Sequence, residues 1–309
     1  MGVAIDTLTL LLPERRRFSS QAFSADTARA MGRADRLADA EPGERAQLLR
    51  HFRLLPRGWP LAAITRQAEA GDAAFNTWLR ADPVYVRPDM TGARLMAWGN
   101  LGLSAAEAED FLKPLKPLFG DAGFPISATE PEHWFLMLPR ESRLPEFSTP
   151  ADGMGDDLFA HLPEGPEGRR WRTLLSEAQV MLHNHPRNAQ RMAAGLPPVN
   201  SLWFWGGGIL PDAVQCQAAC AISNDSELQA LVKLAGMSPR LLPGGDVLLD
   251  LRQQRDWPLL QRDHLEPALA ALGNRYAGLL LDFADGARWR IERKQRWRFW
   301  RRPLNGFEA

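Results

Sequence analysis

The stretch PPVNSLWFWGGGILP, residues 197–211, sets Trp203, Phe204 and Trp205 directly against three glycines. Two readings compete. One is a ligand loop, with aromatic walls and a backbone that lets a substrate approach. The other is a buried strand that ends in a tight turn. Val199 to Trp205 is rich in the β-branched and aromatic residues that favour strands, and Pro and Gly bound it. Neighbouring strand residues face opposite sides. Trp203 and Trp205 therefore share one face and Phe204 takes the other, which suits a sheet buried on both faces. This reading ends the strand at Gly206, since glycine tolerates the positive φ that turns need.

Working outward, GRRWRTLLSEAQVMLHNH (168–185) reads as a helix, with Trp171, Leu174, Leu175, Ala178 and Leu182 on its apolar spacing. Pro186 opens a second helix that Gly195 closes. On the far side come a strand at AACAIS, a helix capped at Asp225 or Ser226, and a strand at DVLLDL, 246–251. The helix DWPLLQRDHLEPALAALGN follows, with a kink at Pro267. A C-terminal β-hairpin then turns at Asp285-Gly286. Earlier in the chain, TLTLLL (7–12) reads as a first buried strand. Ser24 or Asp26 caps SADTARAMGRADRLAD, and PGERAQLLRHF is a short helix. PLAAITRQAE (60–69) reads as a strand running into a helix, and WLRADPVYVRPD (78–89) as an extended segment turning at Asp82-Pro83. Ser104 caps AAEAEDFLKPLKPLF, and two strands meet at Glu130-Pro131. Strands alternating with helices predict an α/β fold: a mixed, mostly parallel sheet flanked by helices. Residues 1–309 read as a single α/β domain, with Pro, Gly and acid marking an exposed insertion or connection at 139–168.

Arginine and lysine total 37, as do aspartate and glutamate, so no whole-molecule attraction to nucleic acid or membrane is indicated. The two cysteines, Cys216 and Cys220, make no secretory disulfide framework. The opening residues carry an early acid and place their basic cluster after the apolar run, the reverse of a leader. No apolar run approaches the ~18 residues of a membrane span. These features predict a cytoplasmic protein. Eleven tryptophans stand against two tyrosines, and most are expected in the core.

LHNHPRNAQR is the strongest site candidate. Arg187 and Arg191 lie four apart on one helix face, beside the helix start at Pro186. Free N–H groups and forked guanidiniums are suited to an anion. The bland alternative is a solvated face with an Asn turn. The glycine run matches neither phosphate-binding motif. His183, His185, Cys216 and Cys220 are of the right type for zinc, but their spacing is poor. No Gly-x-Ser-x-Gly elbow is present, and Glu130, Glu132 and His133 read as a turn. Residues 288–302 hold eight Arg or Lys among Trp289, Trp297, Phe299 and Trp300. That mix serves single-strand binders; the alternative is a hairpin with a basic outer face.

LSEAQVMLHNHPRNAQRMAAGLPPVNSLWFWGGGILP, with WLRADPVYVRPD and MGRADRL, resembles the RpfE-type family. These are bacterial phosphoglycerate-mutase-like proteins tied to regulation of pathogenicity factors. Arg187 stands where the family more often has Val, and Tyr85 where it often has His. The family is similar in turn to the archaeal-type cofactor-independent phosphoglycerate mutases of the alkaline phosphatase superfamily, so the resemblance implies an alkaline-phosphatase-superfamily-like fold. Such mutases place Asp-Gly after the first strand and use a Ser or Thr nucleophile with Asp and His ligands for two divalent metals. Here LLLPERRR follows the first strand, and LLLDFADGARWRIERK carries no closing His-Asp cluster.

The resemblance and the residues together predict a regulatory protein without mutase activity. It keeps an anion pocket lined by His183, His185, Arg187, Asn188, Arg191, Asn200, Trp205, Gly206, Gly207 and Gly208, with no metal and no cofactor. The expected partner is a small phosphorylated or carboxylated metabolite, with a protein partner also open. Two alternatives remain: a metal-dependent phosphotransferase or phosphatase with reassigned chemistry, and a nucleic-acid or protein-interaction module using the basic aromatic segment.

Overall fold

Two apolar runs far apart in sequence, TLTLLL and GLLLDF, lie side by side at the centre of the first sheet. The computed structural model describes residues 7–88, 92–240 and 244–307. The leader reading falls partly on residues 1–6, outside the described residues. In chain order the structure begins with β1 (Thr7–Leu12), α1 (Ala25–Arg33), β2 (Asp35–Arg36), α2 (Glu44–His51) and β3 (Phe52–Leu55). Next come α3 (Leu61–Glu69), β4 (Thr77–Pro88), β5 (Ala93–Trp98), α4 (Ala105–Asp121), β6 (Ile126–Glu130), β7 (His133–Leu138), α5 (Pro150–Gly153), α6 (Gly165–His183), α7 (Arg187–Ala193) and β8 (Ser201–Ile209). β9 (Ala213–Cys216), β10 (Cys220–Ile222), α8 (Ser226–Leu234), β11 (Val247–Asp250), α9 (Trp257–Leu260), α10 (Glu266–Ala270), β12 (Gly278–Phe283) and β13 (Arg288–Glu292) follow.

The sequence reads as one domain, but the chain divides into two compact units. The first joins the described residues up to Arg57 with those from Ala213 onward; the second is Gly58–Asp212. The physical reason is that each unit closes its own core. Leu8, Leu10, Leu12, Trp257, Leu281, Phe283 and Trp289 pack together in the first. Phe111, Phe119, Trp134, Trp171 and Phe204 pack together in the second.

The first unit holds the expected mixed, mostly parallel sheet, in the order β10-β11-β1-β12-β13-β2. The first four strands are parallel, and β13 and β2 are antiparallel. Leu8, Leu10 and Leu12 enter the core, while Thr7 and Thr9 face the other way. β3 and β9 form a separate antiparallel ribbon.

The second unit carries a sheet of another kind, which the alternation of strands and helices does not predict. Its five strands are all antiparallel: β5, β4, β7 and β6 in line, with β8 on β4. Residues 61–69 are helix throughout rather than strand then helix. Pro83 makes no turn but sits inside the continuous β4. On one side of β4, β7 pairs residues 77–80 and β5 pairs 84–88. Pro83 falls in the gap between those two partners, where its missing N–H costs no ladder bond. Residues 139–168 carry α5, a short 3-10 turn and the start of α6. Leu144, Phe147, Leu158 and Leu162 from this stretch pack onto the unit's cores.

Candidate functional site

β8 explains the tryptophan–glycine stretch. Trp203 and Trp205 share one apolar cluster and Phe204 belongs to the other, as alternation requires. The strand does not stop at Gly206; it runs to Ile209. Three steps along β8, from Trp205 to Gly208, match two along β4, from Arg80 to Trp78. That is a β-bulge, and Gly206 at φ 66° supplies its left-handed residue. The next two glycines admit neighbours. A Cβ on Gly207 would stand 2.4 Å from Leu144, and one on Gly208 2.7 Å from Pro60. The space a ligand would need is filled by the unit's own chain.

The remaining expected site residues are fasteners. Arg191, only 1% exposed at its side chain, pairs with Glu107 at 2.8 Å. It also donates to the carbonyls of Pro197 and Leu101 at 2.9 and 2.5 Å. Asn188 donates to the carbonyls of Leu182 and Val199 and accepts from the Val199 N–H, all at 2.8 Å. The Asn200 amide bonds both the N–H and the carbonyl of Val86, at 2.8 and 2.7 Å, and so extends β8 like one more strand residue. Arg187 donates to Asp110 at 2.7 Å. With Lys113 first and Arg187 second, these cations hold the Asp110 carboxyl down to about 2. His185 packs on Phe111 at 4.6 Å, and burial lowers its pKa. His183 is exposed at the end of α6. Six residue steps lead from Asn200 to Gly206, about 20 Å at ~3.3 Å per step. The arginines and the glycines therefore lie at opposite ends of β8 and line no common pocket.

Sequence reasoning missed the residue that organises this unit, Asp82. Fully buried in β4, it accepts from Arg80 at 2.8 Å, the Trp205 indole at 2.8 Å and the Trp98 indole at 3.2 Å. It also accepts from the Trp134 N–H at 3.3 Å, filling the gap beside Pro83. The alternation around Arg80, Asp82 and Val84 carried this signal, because a charge pair inside an apolar strand has to be matched by partners.

In the first unit, charge gathers at the carboxyl ends of the parallel strands, where α/β sheets place ligands. The Arg252 guanidinium grips Asp250 with two bonds, at 2.8 and 2.9 Å, and approaches Asp225 at 3.3 Å and Glu44 at 3.5 Å. Burial alone would raise the Asp250 carboxyl; the Arg252 fork outweighs it and holds it below the usual range. Asp282 is held by Arg50 at 2.6 Å and His51 at 2.8 Å, which likewise overcome burial and lower its pKa. Arg15 pairs with Asp285 at 2.7 Å. Away from these ends, on the sheet face that carries Thr7 and Thr9, a cleft of about 680 Å³ is lined by Thr9, Arg50, His51, Arg53, Gln215, Asp246 and Arg290 among others. Arg53 and Arg290 are exposed and have no ion pair among the described residues.

This donor set does not fit the divalent pair that the resemblance implies. Asp250, Asp282 and Asp285 are each spent on a fixed guanidinium. Among the described residues, no three His, Cys, Asp or Glu side chains gather as metal ligands. Among the described residues no helix is long and apolar enough to cross a membrane.

Comparison with known proteins relates the chain to 2,3-bisphosphoglycerate-independent phosphoglycerate mutases. It is 28% identical over 155 residues to the probable enzyme of Geobacter sulfurreducens, covering 49% of this chain and 38% of that one. It is 31% identical over 110 residues to the enzyme of Methanosarcina acetivorans, covering 34% and 28%. The matched region thus spans well under half the length of these relatives. Among solved structures, the cofactor-independent phosphoglycerate mutase of Thermoplasma acidophilum aligns with a TM-score of 0.40 at 16% identity, over 94% of this chain and 90% of that one. The PH0037 protein of Pyrococcus horikoshii gives 0.48 at 10%, over 94% and 88%. No family model matches the chain.

Proposed function

We propose that the chain is a phosphoglycerate-mutase-like regulatory protein of the RpfE type, cytoplasmic, with an alkaline-phosphatase-superfamily ancestry and without mutase activity. The observation that carries this reading is the arginine clamp at the strand ends. A catalytic metal pair needs several free carboxylates and histidines converging on it. Here Asp250, Asp225 and Glu44 converge on the Arg252 guanidinium instead. The ligand is a small phosphorylated or carboxylated metabolite. Its place moves from the α7–β8 residues to the first-unit cleft, where Arg53 and Arg290 offer uncommitted charge beside Thr9 and Gln215. The cleft volume lies in the range of small-molecule sites.

The test has two arms. Purified protein given manganese and 3-phosphoglycerate should produce no 2-phosphoglycerate; sustained metal-dependent turnover would refute the non-enzymatic reading. In a thermal-shift series, 3-phosphoglycerate or inorganic phosphate should raise the melting temperature, since a ligand that binds only the folded state stabilises it by mass action. The double variant Arg53→Ala/Arg290→Ala should melt like the parent and lose the response. A parent indifferent to every anion removes the metabolite from the proposal.

A further inference from the structure

The segment after β13 carries an anomaly that the metabolite reading does not use. Trp297, Phe299 and Trp300 are 59%, 67% and 78% exposed. Three large rings so exposed within four residues form a contiguous patch of the kind that marks an interaction surface. The segment that holds them is fastened at both ends. Gln295 is buried and donates to Asp35 at 3.0 Å and to the Arg290 carbonyl at 3.2 Å. Arg298 pairs with Asp35, Arg301 donates to the Ala34 carbonyl at 2.6 Å, and Phe307 is buried in the core. The rings thus face solvent from an anchored backbone.

Arginines interleave with them. Arg33 lies over Phe299 at 5.2 Å and Arg296 over Trp297 at 4.7 Å. Next to the rings, a groove of about 500 Å³ is lined by Arg29, Arg33, Arg293 and Arg296. Of its acids, Asp26 pairs with Arg29 and Glu292 with Lys294 at 2.7 Å, while Glu266 accepts from the neutral Ser24 hydroxyl at 2.6 Å and keeps its charge. Arg293 and Arg296 have no carboxylate partner among the described residues.

We propose that this face binds single-stranded nucleic acid, with phosphates in the arginine groove and bases stacked on Trp297, Phe299 and Trp300. Flat, exposed rings and a cationic groove are complementary to a chain that offers both unpaired bases and a phosphate at every step. The formal charge of zero spoke only for the whole molecule. A short strand responds to the local field, because screening confines exposed charges to about 10 Å.

The experiment uses the full chain and a fluorescent 12-nucleotide oligo-dT, followed by anisotropy at rising salt. The parent should bind it more tightly than a duplex of equal length. Trp297→Ala and Trp300→Ala should each weaken binding about tenfold, the scale of one lost stack. Both variants should melt like the parent, since the rings removed are exposed. Arg293→Ala should lower the salt slope by about 0.7. Ring variants that bind as the parent does would overturn the proposal by leaving only nonspecific charge. So would no binding at low salt, or ring-dependent binding to anionic phosphatidylserine vesicles or to a second copy of the chain instead of the oligonucleotide.

Discussion

Arg187 and Arg191 share a helix face and look alike in sequence, yet they differ sharply in what they do. The Arg187 side chain is 37% exposed and makes a surface pair, a class worth about 0–1 kcal/mol. The Arg191 side chain is 1% exposed and joins Glu107 to the carbonyls of Leu101 and Pro197. Arg187→Ala should therefore cost less than about 1 kcal/mol in urea unfolding. Arg191→Ala should cost roughly 3–5 kcal/mol, because it breaks a buried pair and strands its partners. Equal midpoints for the two variants would contradict this assignment and return Arg191 to the list of ligand groups. Spacing reveals the shared face; it does not reveal which guanidinium the neighbouring α4 will cover.

At the scale of elements, the glycine run of β8 has the composition of a turn and is a bulged strand packed tightly on both sides. Gly207→Ala would push a methyl against the flexible ends of Leu144 and Leu79, an overpacking cost of about 1–3 kcal/mol. Gly208→Ala should cost more. Its φ is 151°, and its Cβ would meet the Pro60 ring, which cannot swing aside. Thermal melts of the two variants should fall in that order; a Gly208→Ala protein as stable as the parent would show that close packing does not explain the run. The alternation that places Trp203 and Trp205 opposite Phe204 is local, so it was legible. So were the Ser104 cap of α4 and, narrowed to Asp225 or Ser226, the cap of α8, which Asp225 supplies; both are decided within three residues. The continuity of β4 through Pro83 was not legible, because it depends on where β7 stops and β5 begins. The strand-end clamps escaped for the same reason: Arg50 and Asp282 meet across 232 positions of sequence.

For the whole molecule, the missed feature is the division into two units, which a pattern of alternating strands and helices cannot display. Its consequence is testable. Residues 58–212 are continuous, close their own antiparallel sheet and hold seven of the eleven tryptophans. Trp134, Trp171, Trp203 and Trp205 are buried among partners from that same segment. A protein consisting of these residues alone should fold, with blue-shifted tryptophan emission and one cooperative thermal transition, as a domain of ~150 residues with its own core does. The first unit makes the complementary case. Leu55 and Ala213 are opposed partners in the β3–β9 ribbon, so the chain leaves and re-enters at neighbouring points, ~5 Å apart. Replacing 58–212 by a turn of a few residues should close that ribbon as a hairpin. The shortened protein should then melt cooperatively, with Trp257 and Trp289 still shielded from quencher while Trp297 and Trp300 are not. If instead both pieces collapse without a cooperative transition, the two cores are not independent folding units, and the single domain read from the sequence is the better description.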